Sequence, residues 1–167
     1  MNKRILFYSS VSSKELFFTQ RFYYIDITLI KNLGYEVHET NRILDFLCFW
    51  KYHIAFIYFY KFGLFPAILA RLFHKKVYFT GGIDALEKST TNPRDYLLQK
   101  YLFKLCHLFS TNCILVSKSD ADNVRKIYNG MLPERTSLSF HTIDVENFTN
   151  IGLSEKESIF TTIVWMG

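Results

Sequence analysis

Residues 4–39, RILFYSSVSSKELFFTQRFYYIDITLIKNLGYEVHE, decide the fold class of this chain. The opening apolar run, ILFY, predicts a buried strand that leads into a serine-rich loop. Ser12 and Glu15 have the spacing of a capping box, which marks the start of a helix, and Gly34 suits the left-handed position after its end. The predicted helix carries apolar residues at helical spacing: Phe18, Phe22, Ile25 and Leu29. Because a second strand follows over 35–39, the stretch predicts one β-α-β unit.

The same alternation continues towards residue 140. Further strands are predicted over 53–60, 76–80, 113–117 and 135–140, and further helices over 43–50, 65–73, 93–108 and 119–128. Pro66 is expected in the first turn of its helix, since a proline further inside would remove a backbone hydrogen bond. Strands that alternate with helices in this way predict a parallel sheet with right-handed crossovers. The expected fold class is therefore α/β, a Rossmann-like doubly wound sheet with helices on both faces.

Two of the later helices have clear start signals. Asn92 can cap a helix, Pro93 suits its first position, and Asp95 lies near the positive end of the helix dipole. Several apolar residues of this helix share one face: Leu98, Tyr101, Leu102, Leu105 and Leu108. For the next helix, Ser119 and Asp122 are predicted to form the cap.

Composition excludes several classes of protein. The chain has 167 residues, which is room for one domain and the start of another, and its 49% hydrophobic and 21% charged content is typical of globular proteins. The odd number of cysteines, 3, argues against a disulfide framework and favours buried thiols. No apolar run is long enough for a signal peptide or a membrane span, so we expect neither export nor insertion.

Charge and aromatic residues are concentrated in the first half. Residues 1–80 hold 11 basic and 5 acidic side chains, whereas residues 81–167 hold 9 and 10. Basic and aromatic residues interleave over 46–73, which suits an anionic membrane surface or a nucleic acid. An aromatic core with a solvated basic rim is the alternative. Nucleic-acid binding is the weakest of these, because most of the aromatics fall at predicted core positions.

Candidate binding residues follow the strands, because doubly wound sheets bind ligands at the carboxyl ends of their strands. Ser9, Ser10 and Ser12 follow the first strand, without the glycines of a dinucleotide fingerprint. Their hydroxyls could hydrogen bond to a sugar, or they could be ordinary loop serines. Glu87 stands where a phosphate-binding Walker loop needs glycine before its lysine, which excludes that motif.

A second group follows the later strands. Gly81 and Gly82 permit backbone conformations that other residues avoid, and they bring Asp84 towards the crevice, where a carboxylate could accept a proton or a hydrogen bond. His141 lies in the loop after the sixth strand, near the expected position of Ser117, and could act as a general base. The alternatives are a capping Asp84 and a surface His141. The histidines have no metal-ligand spacing, so no metal is expected.

The tail departs from the repeating pattern. Residues 149–158 are polar, and 159–165 form another strand-like run. We expect residues 1–148 to be one domain, 149–158 a linker and 159–167 the first strand of a second domain. An extra edge strand that completes the first domain is the alternative.

Three short motifs in this order resemble a known family: LGYEV over 33–37, CILVS over 113–117 and IDVENF over 143–148. Together they resemble the N-terminal half of GT-B glycosyltransferases, and more narrowly the retaining enzymes of family 4. The resemblance covers most of residues 3–148.

The resemblance implies a function. It implies that this domain binds the acceptor, while a C-terminal domain beyond residue 167 binds a nucleotide-sugar donor and the chemistry needs no metal. It implies a lipid-linked or polysaccharide acceptor at the cytoplasmic face of a membrane, where such enzymes dock peripherally. Ser9, Ser10, Ser12, Gly81, Gly82 and Ser117 would then contact the acceptor, with Asp84 and His141 as catalytic residues. We expect the chain to be inactive without the donor domain. The alternative is a non-catalytic binding or partner-docking module.

Overall fold

The computed structural model describes residues 3–86 and 92–139; within these, the side chains of residues 84 and 85 are not described. His141, the predicted linker over 149–158 and the predicted strand over 159–165 lie outside the described residues. The predictions that concern them therefore stay predictions.

The described residues form a six-stranded parallel sheet with the order β2-β1-β3-β4-β5-β6. Its strands are β1 (Arg4–Tyr8), β2 (Glu36–Thr40), β3 (Ile54–Tyr58), β4 (Lys76–Thr80), β5 (Asn112–Leu115) and β6 (Thr136–Leu138). The helices are α1 (Leu16–Thr19), α2 (Arg21–Asn32), α3 (Tyr60–Leu72), α4 (Pro93–Phe109) and α5 (Lys118–Ile127). Three 3₁₀ turns cover Ile43–Leu47, Phe49–Lys51 and Ile83–Leu86, so the helix predicted over 43–50 is two such turns.

Helices cover both faces of the sheet, because successive residues of each strand point to opposite sides. On one side, Leu6, Ala55 and Val77 pack in a core with residues of α3, α4 and α5. On the other, Phe7 and Tyr58 pack with α1 and α2 in an aromatic cluster. The predicted α/β doubly wound fold is therefore confirmed.

The first predicted helix is interrupted. Gln20 has extended backbone dihedral angles and separates α1 from α2. The predicted Ser12–Glu15 capping box does not form, and the Oγ of Ser13 instead accepts a hydrogen bond from the Glu15 backbone N–H at 3.2 Å. The break lets Phe17 of α1 and Tyr23 of α2 both pack against Phe7 of the sheet. Tertiary packing of aromatic rings thus outweighs the local capping signal.

The buried face of α2 also differs from the prediction. Tyr23 and Ile27 are the buried residues of this helix, whereas Leu29 is 46% exposed and Phe18, which lies in α1, is 57% exposed. The end of the helix is as predicted. Gly34 has φ of +84°, its N–H donates to the Lys31 carbonyl, and the next N–H donates to the Ile30 carbonyl, which closes the helix.

Helix α3 begins earlier than predicted, at Tyr60, so Pro66 lies inside the helix and not in its first turn. Phe59, with φ of +65°, turns the chain directly from β3 into the helix, and the Phe62 N–H donates to its carbonyl. Gly63 then lies so close to the sheet that a Cβ atom there would overlap Cε1 of Phe79. This close packing favours the long helix despite the backbone hydrogen bond that Pro66 removes.

The predicted cap of α4 is confirmed, because the Asn92 side chain accepts a hydrogen bond from the Arg94 N–H at 3.1 Å. The core side of the helix is formed by Gln99, Phe103, Cys106 and His107. The apolar face identified in the sequence points the other way, since Leu98 and Tyr101 are 63% and 64% exposed. Burial raises the pKa of the Cys106 thiol to about 12, so this cysteine behaves as a small hydrophobic residue.

The cap of α5 is Ser117 with Asp120, two residues before the predicted pair. The Ser117 Oγ accepts from the Asp120 N–H at 3.0 Å, and the Asp120 carboxylate accepts from the Ser117 N–H at 3.1 Å. The predicted capping residue Asp122 instead pairs with Arg125 at 2.8 Å on the helix surface. The strand ends before Ser117, and this leaves the serine free to adopt the extended backbone that a cap requires.

Candidate functional site

The strand order defines one crevice. β1 lies between β2 and β3. The chain therefore passes from β1 to β2 on one side of it, and then crosses back to β3 on the other side. In doubly wound sheets, ligands bind at this reversal, outside the carboxyl ends of the strands. The loop over 9–13 and the turn at Phe59 follow the two strands concerned.

The three serines after β1 have different environments. Ser9 is fully buried, and its hydroxyl shares a hydrogen bond of 2.6 Å with the Tyr23 hydroxyl. Ser10 and Ser12 are exposed in the loop. Asn41, at the end of the neighbouring strand β2, donates from its amide to the Val11 carbonyl at 3.0 Å and so fixes the loop. The acceptor role of the serines stays a prediction, and the two exposed hydroxyls are the ones that a sugar could reach directly.

A tyrosine network underlies the crevice. Tyr23 of α2 and Tyr58 at the end of β3 have ring centroids 4.7 Å apart, and the Tyr58 hydroxyl donates a hydrogen bond to the Asp26 carboxylate. Burial, together with the charge of Asp26, raises the pKa of Tyr58 far above its ordinary value. Burial also raises the pKa of Tyr23, and the hydrogen bond with Ser9 offsets part of that rise. Both phenols therefore stay protonated near neutral pH, so they can donate hydrogen bonds at this edge of the sheet.

The two glycines after β4 have the conformation that their sequence predicts. Gly81 and Gly82 have φ of +73° and +77°, in the left-handed region that side chains disfavour. Gly82 also lies against the turn at Phe59, where an added Cβ atom would come within 3.4 Å of the Phe59 Cα. The glycines therefore let two loops of the crevice approach each other closely.

The remaining predicted site residues are placed as follows. Asp84 lies in the 3₁₀ turn Ile83–Leu86 that follows the glycines, at the carboxyl edge of the sheet. Ser117 lies at the carboxyl end of β5, where its hydroxyl serves the cap of α5. The catalytic roles of Asp84 and His141 and the binding role of Ser117 stay predictions.

Four residues of this region were not predicted from the sequence: Tyr23, Asp26, Tyr58 and Phe59. The sequence did indicate that two of them lie close together. Tyr23 and Asp26 are three residues apart in the predicted helix, so they share one of its faces. Nothing in the sequence marks Phe59, because a left-handed backbone at a phenylalanine is set by the chain reversal between β3 and α3.

A separate cavity of about 290 Å³ lies on the face of the sheet under the first two 3₁₀ turns. Its lining includes Leu6, His38, Asp45 and Tyr52, and none of its lining residues belongs to the loops after β1, β3 or β4. Among the side chains that the structure describes, no group of three or more His, Cys, Asp or Glu could hold a metal ion. Within the described residues, no helix has the length and apolar character needed to cross a membrane.

Comparison with solved structures finds the same fold in Anabaena HepE. Anabaena HepE in complex with UDP and glucose superposes with a TM-score of 0.57 at 15% sequence identity, over 97% of this chain and 50% of HepE. HepE in complex with UDP-glucose gives a TM-score of 0.58 at 14% identity, over 96% of this chain and 49% of HepE. No family profile and no curated protein sequence matches the chain.

The chain thus spans about half the length of the structures that it matches. At this level of identity the similarity shows a shared fold. It supports the resemblance to GT-B glycosyltransferases, and the finer assignment to the retaining enzymes of family 4 stays a prediction.

Proposed function

We propose that this chain is the acceptor-binding half of a glycosyltransferase that uses a nucleotide-sugar donor. The main support is the superposition of nearly the whole chain, 97%, on half of a protein whose structure holds UDP and glucose. A nucleotide-sugar enzyme built from two such halves would bind its donor in the other half and its acceptor here. We further propose that the enzyme belongs to the retaining family 4 and acts at the cytoplasmic face of a membrane on a lipid-linked or polysaccharide acceptor.

The crevice has groups that suit a sugar acceptor. Ser10 and Ser12 are exposed beside it, and Gly81 and Gly82 leave backbone close to any ligand bound there. Sugar hydroxyls both donate and accept hydrogen bonds, so hydroxyl and backbone groups can bind them without a fixed charge. In the proposal, Asp84 accepts a hydrogen bond from the acceptor and His141 takes up a proton during transfer.

The experiment that tests this proposal is an NMR titration of isotope-labelled chain with saccharides and with UDP-glucose. We expect saccharides to shift amide signals in the loops over 9–13 and 81–84, and UDP-glucose to leave them unchanged. Ser10→Ala combined with Ser12→Ala should weaken the saccharide response. The matched control is Glu36→Gln, because Glu36 lies at the amino end of β2, away from the crevice.

Each of the following outcomes would contradict the proposal. Transfer or hydrolysis of a nucleotide-sugar by the chain alone would mean that the catalytic groups are all present here, which the division into halves forbids. Shifts that the serine variants leave unchanged, or that appear at the amino edge of the sheet, would place the ligand outside the crevice. A chain that responds to no saccharide would favour the non-catalytic module.

A further inference from the structure

The cavity of about 290 Å³ forms where the connection between two strands is short. The connections from β3 to β4, from β4 to β5 and from β5 to β6 contain helices of 13, 17 and 10 residues. The connection from β2 to β3 has instead two 3₁₀ turns of 5 and 3 residues. Turns of this length cover less of the sheet than a helix does, and the uncovered face of β1 and β2 is one wall of the cavity.

Two core side chains give the cavity an apolar wall. Leu6 of β1 and Tyr52 line it, and they are 3% and 2% exposed. Both pack in the larger core of the protein, which fixes their positions. The Tyr52 hydroxyl donates a hydrogen bond to the Phe46 carbonyl at 3.0 Å, so its polar group already has a partner within the protein. This part of the lining can therefore bury an aliphatic group of a ligand.

The charged side chains of the lining comprise one ion pair and two further charges. Arg4 Nε and Glu36 Oε2 are 3.1 Å apart, so these two charges compensate each other. Asp45 and Lys51 also line the cavity, and neither forms an ion pair with another described residue. The Thr40 hydroxyl donates a hydrogen bond to Asp45 Oδ2, which holds this carboxylate in position. One negative and one positive group of the lining are therefore left for a ligand.

We propose that this cavity binds a small zwitterion with the chemistry of an aliphatic amino acid. The carboxylate of the ligand meets Lys51, and its ammonium group meets Asp45. Its apolar chain packs on Leu6 and Tyr52. A simple anion would meet Asp45 without compensation, and a simple amine would meet Lys51 in the same way, so a ligand with both charges is favoured. The volume is at the lower end of the range for ligand sites, about 300–1,000 Å³, which suits a molecule of this size.

A cysteine of the lining provides the measurement. Cys48 lines the cavity and is partly buried, whereas Cys106 and Cys113 are buried in the core. Alkylation of the full chain by iodoacetamide, followed by mass spectrometry of its peptides, reports the rate at each thiol. We expect leucine, the probe, to slow the alkylation of Cys48 and to reach saturation.

Two analogues of leucine test the need for both charges. Isocaproate lacks the amine, and isoamylamine lacks the carboxylate. Each should protect Cys48 only at about tenfold or higher concentrations than leucine, because a hydrogen bond to a charged group contributes about 1.5–3 kcal/mol.

Variants assign each charge to its partner. Asp45→Asn should weaken protection by leucine about tenfold or more and leave protection by isocaproate unchanged, because isocaproate has no ammonium group. Lys51→Gln should likewise weaken leucine and leave isoamylamine unchanged. The matched control is Lys76→Gln, because Lys76 is an exposed lysine at the amino end of β4 and does not line the cavity.

Several outcomes would overturn the proposal. Leucine that leaves the alkylation of Cys48 unchanged, or that protects no better than its two analogues, would show that the cavity does not select a zwitterion. An equal loss in Lys76→Gln would reduce the effect to general electrostatics. If Asp45→Asn weakened isocaproate as much as leucine, Asp45 would act through its bond with Thr40 and not on the ligand. The measurement uses no saccharide and a cavity away from the crevice, so its failure is distinct from a failure of the acceptor titration.

Discussion

Helices α4 and α5 are neighbours in chain order and pack against the same core, yet their outer faces differ. In α5, Ala121, Val124 and Ile127 are buried, and no large apolar side chain of this fully described helix is exposed. In α4, apolar residues face both the core and the solvent. The comparison shows that an apolar face locates the core only when the opposite face is polar. In a helix that is apolar on two sides, the apolar pattern alone does not say which side is buried.

The largest expected effect on stability comes from a substitution on the buried inner face of α4. Phe103 is 1% exposed and packs on Tyr60, so Phe103→Ala should lower the free energy of unfolding by about 3–5 kcal/mol through loss of burial and a new cavity. Chemical denaturation monitored by circular dichroism measures this. Leu98→Ala, on the outer face of the same helix, should change stability by less than about 0.5 kcal/mol. Similar losses in both variants would show that the outer face is also packed.

A smaller effect should come from the start of α5. Ser117→Ala removes the hydroxyl that accepts from the Asp120 N–H and should cost about 0.5–2 kcal/mol of stability, while Ser119→Ala should cost much less. Thermal unfolding of the two variants compares them directly. If Ser119→Ala were the more damaging change, the cap would lie where the sequence alone placed it.

The smallest expected effect is on the pH dependence of stability, and it concerns the buried inner face of α4. Burial lowers the pKa of His107 below its ordinary value of 6.5. As pH falls below that value, the unfolded chain takes up a proton that the folded chain resists, so the free energy of unfolding should fall towards acid pH. His107→Asn should make this decline less steep. His38→Asn, at an exposed position of β2, is the control, and an equal change in both variants would contradict a specific role for burial at His107.

The fold could be predicted because it depends on patterns that repeat along the chain. All six strands were predicted, some from short apolar runs and the second from alternation, and Lys76–Thr80 has the bounds predicted for it. Helix boundaries were less predictable where packing overrides local signals, as at Gln20 and at Pro66. A capping motif contributes about 1 kcal/mol to stability, and a buried aromatic side chain contributes more. The packing of the aromatic rings therefore determines where the helix is interrupted.

The candidate site was predictable only in part. Gly81 and Gly82 were identified because their residue type matches a special backbone conformation, which the structure shows. The hydrogen bond between Ser9 and Tyr23 and that between Tyr58 and Asp26 join residues 14 and 32 positions apart. No local pattern encodes such pairs, because they form only when the sheet brings α2 over the ends of β1 and β3.

The sequence by itself determined the α/β class, the order of the elements and the turns that need glycine, since each depends on periodicity or on the conformational preference of single residues. Only the tertiary structure decided which side of α4 faces the core. The helix has two apolar sides, and local propensity does not distinguish them. Its attachment to β4 and β5 and its packing on α3 fix its rotation, and this leaves Leu98 and Tyr101 outside while Phe103 and His107 are buried.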